Sequence, residues 1–74
     1  MVFKSITKEK NIVKVNLSLK PTDSISKSRS IASKKLLSYL KDKRDIPKSI
    51  EYFKKENKKI KNDFIVSYFY KLKY

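Results

Sequence analysis

Strict alternation of apolar and polar side chains over residues 12–20 constrains the fold of this chain more than any other feature. The segment reads Ile-Val-Lys-Val-Asn-Leu-Ser-Leu-Lys, so that valine or leucine occupies every second position. A period of two predicts a β-strand with one face buried and the other in water. Pro21 has no amide hydrogen to donate to a sheet, and we expect it to end this strand.

Two further segments have strand character. Residues 2–7 precede the alternating strand, and the polar residues 8–11 between the two predict a hairpin loop. Residues 64–70 are dense in β-branched and aromatic side chains, which favour strands. The predicted apolar face of this last strand consists of Phe64, Val66, Tyr68, Tyr70 and Leu72.

The serine- and lysine-rich stretch 24–35 is predicted to open a helix. The cluster Thr22-Asp23-Ser24 offers side-chain oxygens that cap free amides at a helix start. We expect the helix to run to about residue 43, and Pro47 to block any continuation. Four side chains that recur at helical spacing are predicted to pack on the sheet: Ile25, Ala32, Leu36 and Leu40.

Residues 48–60 fit two structures. They consist of strong helix formers, and three apolar residues could line one side of a second helix. Alternatively, residues 49–53 form a short strand and residues 54–62 a polar loop before the aromatic strand returns. Either way, the sequence predicts one α+β domain over residues 1–74: a small antiparallel sheet, with an N-terminal hairpin and a C-terminal aromatic strand, packed against one long basic helix.

The charge of the chain indicates its partner. Twenty Lys and Arg against seven Asp and Glu give a formal charge of +13 over 74 residues. Such a surface favours a polyanion, first nucleic acid and second an anionic membrane surface. No apolar run approaches the roughly 18 residues that span a bilayer, so we expect no membrane insertion and a soluble, intracellular chain.

The composition also argues against catalysis. Histidine and cysteine are absent, which removes the usual bases, nucleophiles and soft metal ligands. The carboxylates are scattered among lysines, and no glycine-rich loop could hold a nucleotide phosphate. We therefore expect no enzyme activity, no cofactor or metal and no small-molecule substrate.

The predicted helix carries the candidate binding surface. Lys27, Ser30, Lys34, Ser38 and Lys41 follow steps of three and four, and so share one stripe opposite the packing side. Ammonium and hydroxyl groups are the ones that contact phosphate and sugar oxygens, so the stripe is predicted to bind nucleic acid. The alternative interpretation is an ordinary solvated helix face. The expected RNA-binding residues are Lys27, Arg29, Ser30, Lys34, Lys35, Lys41, Lys43, Arg44, Lys58, Lys59 and Lys61.

Two parts of this expectation are less specific. Lys58, Lys59 and Lys61 belong to a basic cluster that is either a flexible loop reaching phosphates or a solubilising charge run. Phe69 lies on the polar side of the last strand, and is the better candidate if a base stacks on an aromatic ring. Since nearly all basic residues are lysine, we expect backbone and shape contacts rather than base reading.

The order of these features resembles the eukaryote-specific large-subunit ribosomal protein number twenty-two family. The likeness rests on the alternating strand ending at Pro21, then Ser26-Lys27, Ser33-Lys34-Lys35-Leu36-Leu37, Arg44-Asp45 and the closing Val66-Ser67-Tyr68-Phe69. It covers nearly all of this chain and the C-terminal two thirds of a usual member. The family's glycines and its N-terminal and acidic terminal portions have no counterpart, and Ile46-Pro47 stands where a tryptophan is usual.

The resemblance implies a structural constituent of the large ribosomal subunit. Its partners would be ribosomal RNA and neighbouring ribosomal proteins, with Lys27, Lys34 and Lys35 as matching RNA contacts. It implies a cytoplasmic ribosome, with an organellar ribosome as the alternative, and it favours the hairpin for residues 48–70. A competing interpretation is a small DNA-binding or chromatin-associated protein, and a third is a protein-interaction module or membrane-surface peptide.

Overall fold

Four strands and one helix make up the described part of the chain. The computed structural model describes residues 2–20 and 22–74. The elements are β1 (Val2–Glu9), β2 (Ile12–Leu19), α1 (Ile25–Asp42), β3 (Ser49–Ile60) and β4 (Asp63–Lys73). The sheet order is β1-β2-β4-β3 with antiparallel neighbours throughout, and α1 packs on one face. The predicted α+β architecture is confirmed.

The core lies between α1 and the two central strands. In the register of β2 against β4, Val15 faces Tyr68 and Leu17 faces Val66, and all four side chains are buried. These positions are the apolar ones of both alternating patterns, so burying them on one face leaves the intervening polar residues on the other. Pro21, predicted to end β2, lies outside the described residues; β2 ends at Leu19.

The helix packs through a slightly different set of residues from the one predicted. Ala32, Leu36 and Leu40 are buried as expected, but Ile25 is 56% exposed and Ser28 is fully buried instead. The Ser28 hydroxyl donates to the Ile25 carbonyl and shares a hydrogen bond with the Tyr68 hydroxyl. A buried tyrosine hydroxyl needs a partner, which is why a serine replaces an apolar residue at this position.

The expected side-chain cap at the helix start is not formed. Ser24 has the extended backbone of a cap residue, but its side chain makes no capping hydrogen bond and instead contacts the Ser26 hydroxyl at 2.9 Å. The helix end is more regular. Arg44 has a left-handed backbone with φ 55°, and its amide donates to the Lys41 carbonyl. The Asp45 amide donates to the Leu40 carbonyl, and the two bonds together form a Schellman motif.

The ambiguous segment is a strand, and it is longer than the hairpin alternative predicted. β3 continues to Ile60, so the polar loop expected over residues 54–62 is wrong. Nearly every residue of β3 is exposed, and its pairing with β4 rather than its own pattern supplies its hydrogen bonds. The first hairpin is likewise tighter than expected, because only Lys10 and Asn11 lie between β1 and β2.

Candidate nucleic-acid interface

The outward side of α1 presents a continuous row of cations and hydroxyls. Its buried residues recur every four positions, from Ser28 to Leu40, so the opposite side is turned to solvent. We call the exposed row the outer helix stripe, and it consists of Lys27, Ser30, Lys34, Ser38 and Lys41. The structure thus brings together on one side of the helix the stripe that the spacing predicted.

The outer helix stripe has no negative charge of its own. The helix contains no acidic residue before Asp42, and its first turn has none either. The ion pairs found in the described residues join Lys8 to Asp45, Lys54 to Glu56 and Lys73 to Glu51, and none of them involves the stripe. Within the described residues, no ion pair therefore competes with an external anion for its ammonium groups.

Two predicted contacts flank the stripe and lean onto opposite edges of the sheet. The Arg29 guanidinium lies 4.6 Å from the centre of the Tyr52 ring on β3. The Lys35 ammonium lies 5.2 Å from the Phe3 ring on β1. Cation–π contact fixes both side chains without neutralising them, so both remain exposed cations beside the stripe.

Two further predicted residues follow the end of the helix. Lys43 and Arg44 are exposed, and the Lys43 ammonium lies 6.0 Å from the Tyr39 ring. The left-handed backbone at Arg44 turns the chain away from the helix axis at this point.

The second basic cluster is divided by the pleat of β3. Lys58 pairs with Ile65 and faces away from the helix, whereas Lys59 pairs with Phe64 on the helix side. The Lys59 ammonium lies 5.7 Å from the Phe64 ring, and Lys61 is in the turn with φ 55°. Of the three predicted residues, therefore, only Lys61 is in a loop, and Lys58 does not share a face with the outer helix stripe.

The opposite face of the sheet has a second group of polar and aromatic side chains that the sequence only partly indicated. Phe69 lies on central strand β4, with Lys14 beside it on β2 and Lys54 on β3. Their ammonium groups are 5.6 Å and 4.7 Å from the ring centre. The alternation singled out Phe69, but Lys54 was assigned to a loop, and pairing registers are needed to see the three together.

Two serines of the helix, Ser28 and Ser33, contact buried tyrosines of β4. Ser33 approaches the Tyr70 hydroxyl at 3.5 Å, as Ser28 does the Tyr68 hydroxyl. Burial raises the pKa of the Tyr70 phenol above its ordinary value. The serine-rich stretch thus serves both faces of the helix, and only some of its hydroxyls are available to a ligand.

Neither a metal-binding group of side chains nor a membrane-spanning helix is found in the described residues. Over residues 2–20 and 22–74, no three acidic side chains are grouped so as to hold a metal ion. Within the same ranges, no helix combines the length and the apolar character needed to cross a membrane.

Comparison of the chain with protein-family models, curated proteins and solved structures finds no match. The resemblance to the ribosomal family therefore stays a prediction.

Proposed function

We propose that this protein is a structural RNA-binding protein of the large ribosomal subunit, and that it holds structured RNA through the outer helix stripe. The observation that carries the proposal is the exposed, acid-free row of cations and hydroxyls on a helix whose other side is committed to the core. Phosphate contacts supply most of the affinity of such surfaces.

Structured RNA suits the outer helix stripe because the shape of this protein surface is fixed. The buried residues of α1 hold the helix on the sheet, so the stripe keeps its spacing before any ligand binds. Double-stranded RNA is recognised mostly through phosphates, 2′-hydroxyls and shape, and a lysine-rich surface needs no base reading to do this. The ribosomal assignment rests on the order of sequence motifs, and RNA binding rests on the surface.

The direct test compares two triple charge reversals for binding to an RNA hairpin of about 16 base pairs. The first variant is Lys27→Glu, Lys34→Glu and Lys41→Glu on the helix. The matched variant is Lys10→Glu, Lys20→Glu and Lys48→Glu, which makes the same change in net charge at exposed lysines outside the helix and outside the predicted RNA-binding residues. At about 0.15 M salt, losing three phosphate contacts should weaken binding roughly a hundredfold, and the matched variant much less.

Equal losses in the two variants would show that total charge, rather than the helix surface, decides binding. A DNA duplex of equal length bound as tightly as the RNA would favour the DNA-binding alternative. For the ribosomal assignment, we expect the protein to sediment with large ribosomal subunits in a low-salt gradient. A protein that sediments free of ribosomes while still binding RNA would remove that assignment alone.

A further inference from the structure

The face of the sheet opposite α1 is a second surface with a chemistry of its own. At its centre, the register places Lys14, Phe69 and Lys54 side by side on three adjacent strands. Both ammonium groups lie within 6 Å of the ring centre, and the ring is partly exposed. No helix covers this face in the described part of the chain, since α1 packs on the other one.

A fixed row of polar groups lies beside the aromatic ring. The Asn16 amide donates to the Ser5 hydroxyl at 2.9 Å, and the Ser67 hydroxyl donates to the Asn16 amide oxygen at 2.6 Å. These bonds join β1, β2 and β4 and set the orientation of Asn16. Its second amide hydrogen and the Ser5 hydroxyl hydrogen keep donor capacity for a ligand.

Two adjoining concavities divide the face, and Lys14 lines both. Thr7 and Phe69 line the first, and Ser5, Asn16 and Ser67 line the second. The row that contains the aromatic ring and the row of polar donors therefore lie next to each other along the strand direction.

The charge on this face favours an anionic ligand. Two of its carboxylates, Glu56 and Glu51, pair with Lys54 at 3.1 Å and with Lys73 at 2.9 Å, and a third, Glu9, lines the first concavity. The other lysines along the face lack a carboxylate partner within the part of the chain that the structure describes: Lys4, Lys14, Lys58 and Lys71. A membrane would require a continuous exposed apolar patch here. The exposed Val2 and Ile60 lie on opposite edge strands, and Phe69, Ile65 and Ile12 between them are partly buried.

We propose that this face binds unpaired nucleotides of single-stranded RNA, with one base stacked on Phe69. Lys14 and Lys54 leave the ring and bind the phosphates on either side of that base, since flexible stems let an ammonium exchange a weak ring contact for a phosphate. Lys54 also gives up its ion pair with Glu56, which is exposed and therefore weak. Asn16 and Ser5 donate to the next nucleotide. This rests on the proposed function in taking RNA as the ligand, but it uses different residues.

The test measures binding to an oligouridylate about eight nucleotides long and to an abasic ribose-phosphate oligomer of equal length. Uridines stack poorly on one another, so a preference for the first oligomer reports stacking on protein. We expect the wild type to prefer the oligouridylate roughly tenfold. Phe69→Leu keeps an apolar side chain but removes the ring face, and should abolish the preference, whereas Phe69→Tyr should keep it.

The helix triple Lys27→Glu, Lys34→Glu and Lys41→Glu serves as the control. It should weaken binding of the hairpin RNA and leave the ratio between the two oligomers unchanged. If Phe69→Leu retains the preference, or if the wild type shows none, the stacking site is overturned while hairpin binding still stands. If neither oligomer nor the hairpin binds, both proposals are wrong.

A measurement on the unmodified protein does not depend on how the variants fold. Ultraviolet crosslinking of the oligouridylate, followed by peptide mapping, should place the attached uridine on the segment of β4 that contains Phe69. Crosslinks confined to α1 would overturn the stacking site.

Discussion

Among the described residues, three adopt a left-handed backbone that glycine would accept most readily, and the chain contains no glycine. Lys10 and Lys61 do so in the two hairpin turns, and Arg44 does so after the helix, with φ of 55–56°. A side chain with a Cβ atom makes this conformation cost roughly 1 kcal/mol or more. All three are basic, so the chain accepts this cost at exposed positions where cations are useful to a polyanion-binding surface.

Replacing Arg44 with glycine should therefore stabilise the fold and weaken RNA binding at the same time. We expect Arg44→Gly to raise the free energy of unfolding by about 0.5–1 kcal/mol, because the relieved strain exceeds the extra entropy of glycine in the unfolded chain. Arg44→Ala is the control, since it removes the same charge but keeps the Cβ atom. Urea unfolding measures the stability of both variants. Equal stabilities for Arg44→Gly and Arg44→Ala would contradict the explanation by backbone strain.

The buried contact between Ser28 and Tyr68 offers a second test at this scale. Ser28→Ala leaves the Tyr68 hydroxyl with only the long 3.5 Å contact to the Ile25 carbonyl. An unsatisfied buried hydroxyl should lower the free energy of unfolding by about 1–3 kcal/mol. Adding Tyr68→Phe removes the orphaned group, so the double variant should lose less than the sum of the single variants. Additive losses in this double-mutant cycle would show that the two hydroxyls are not coupled.

At the scale of the elements, a strand could be predicted with its full length where its apolar and polar residues coincide with its buried and exposed positions. β2 and β4 were predicted because their periods match one buried face. β3 was predicted only as one of two alternatives and only over residues 49–53, since lysines lie on both of its faces and its structure comes from pairing with β4. Such lysines also discourage pairing of an edge strand with another chain. The helix stripe followed from spacing alone, whereas the Phe69 site required a register that no single segment encodes.

The elements are joined at one end of the sheet by Asp45. Its carboxylate pairs with Lys8 on β1 at 2.6 Å and accepts a hydrogen bond from the hydroxyl of Tyr74, just past β4. The hydrogen bond from Lys8, followed by that from Tyr74, lowers the pKa of Asp45 below its usual range. Asp45, three residues past the end of the helix, thereby connects the first strand to the residue after the last.

This cluster should make stability depend on pH. Because the folded protein lowers the pKa of Asp45, its contribution is present above the unfolded value of about 3.9 and is lost as pH falls through the lower folded value. Asp45→Asn should thus reduce the urea midpoint at neutral pH and flatten its decline below about pH 4. The control is Glu9→Gln, which neutralises an exposed carboxylate next to Lys8 on β1 and should have neither effect. An unchanged acid profile for Asp45→Asn would contradict the role given to the cluster.

The whole molecule combines a high charge with small dimensions. The formal charge of +13 is held within a radius of gyration of 12.3 Å. At about 0.01 M salt the screening length is near 30 Å, so cations on opposite sides of the molecule repel each other; at 0.15 M it is about 8 Å. Folding concentrates this charge, and the two cationic faces, one on the helix and one on the sheet, add to the same repulsion.

Salt alone should therefore stabilise the free protein. We expect the urea midpoint to rise between about 0.01 and 0.15 M sodium chloride, because screening relieves a repulsion that is weaker in the expanded unfolded chain. The helix triple Lys27→Glu, Lys34→Glu and Lys41→Glu should show a smaller rise, since it carries less net charge. RNA binding should respond to salt in the opposite direction, because bound phosphates release their counterions. A midpoint that falls as salt is added would mean that ion pairs outweigh self-repulsion in this fold.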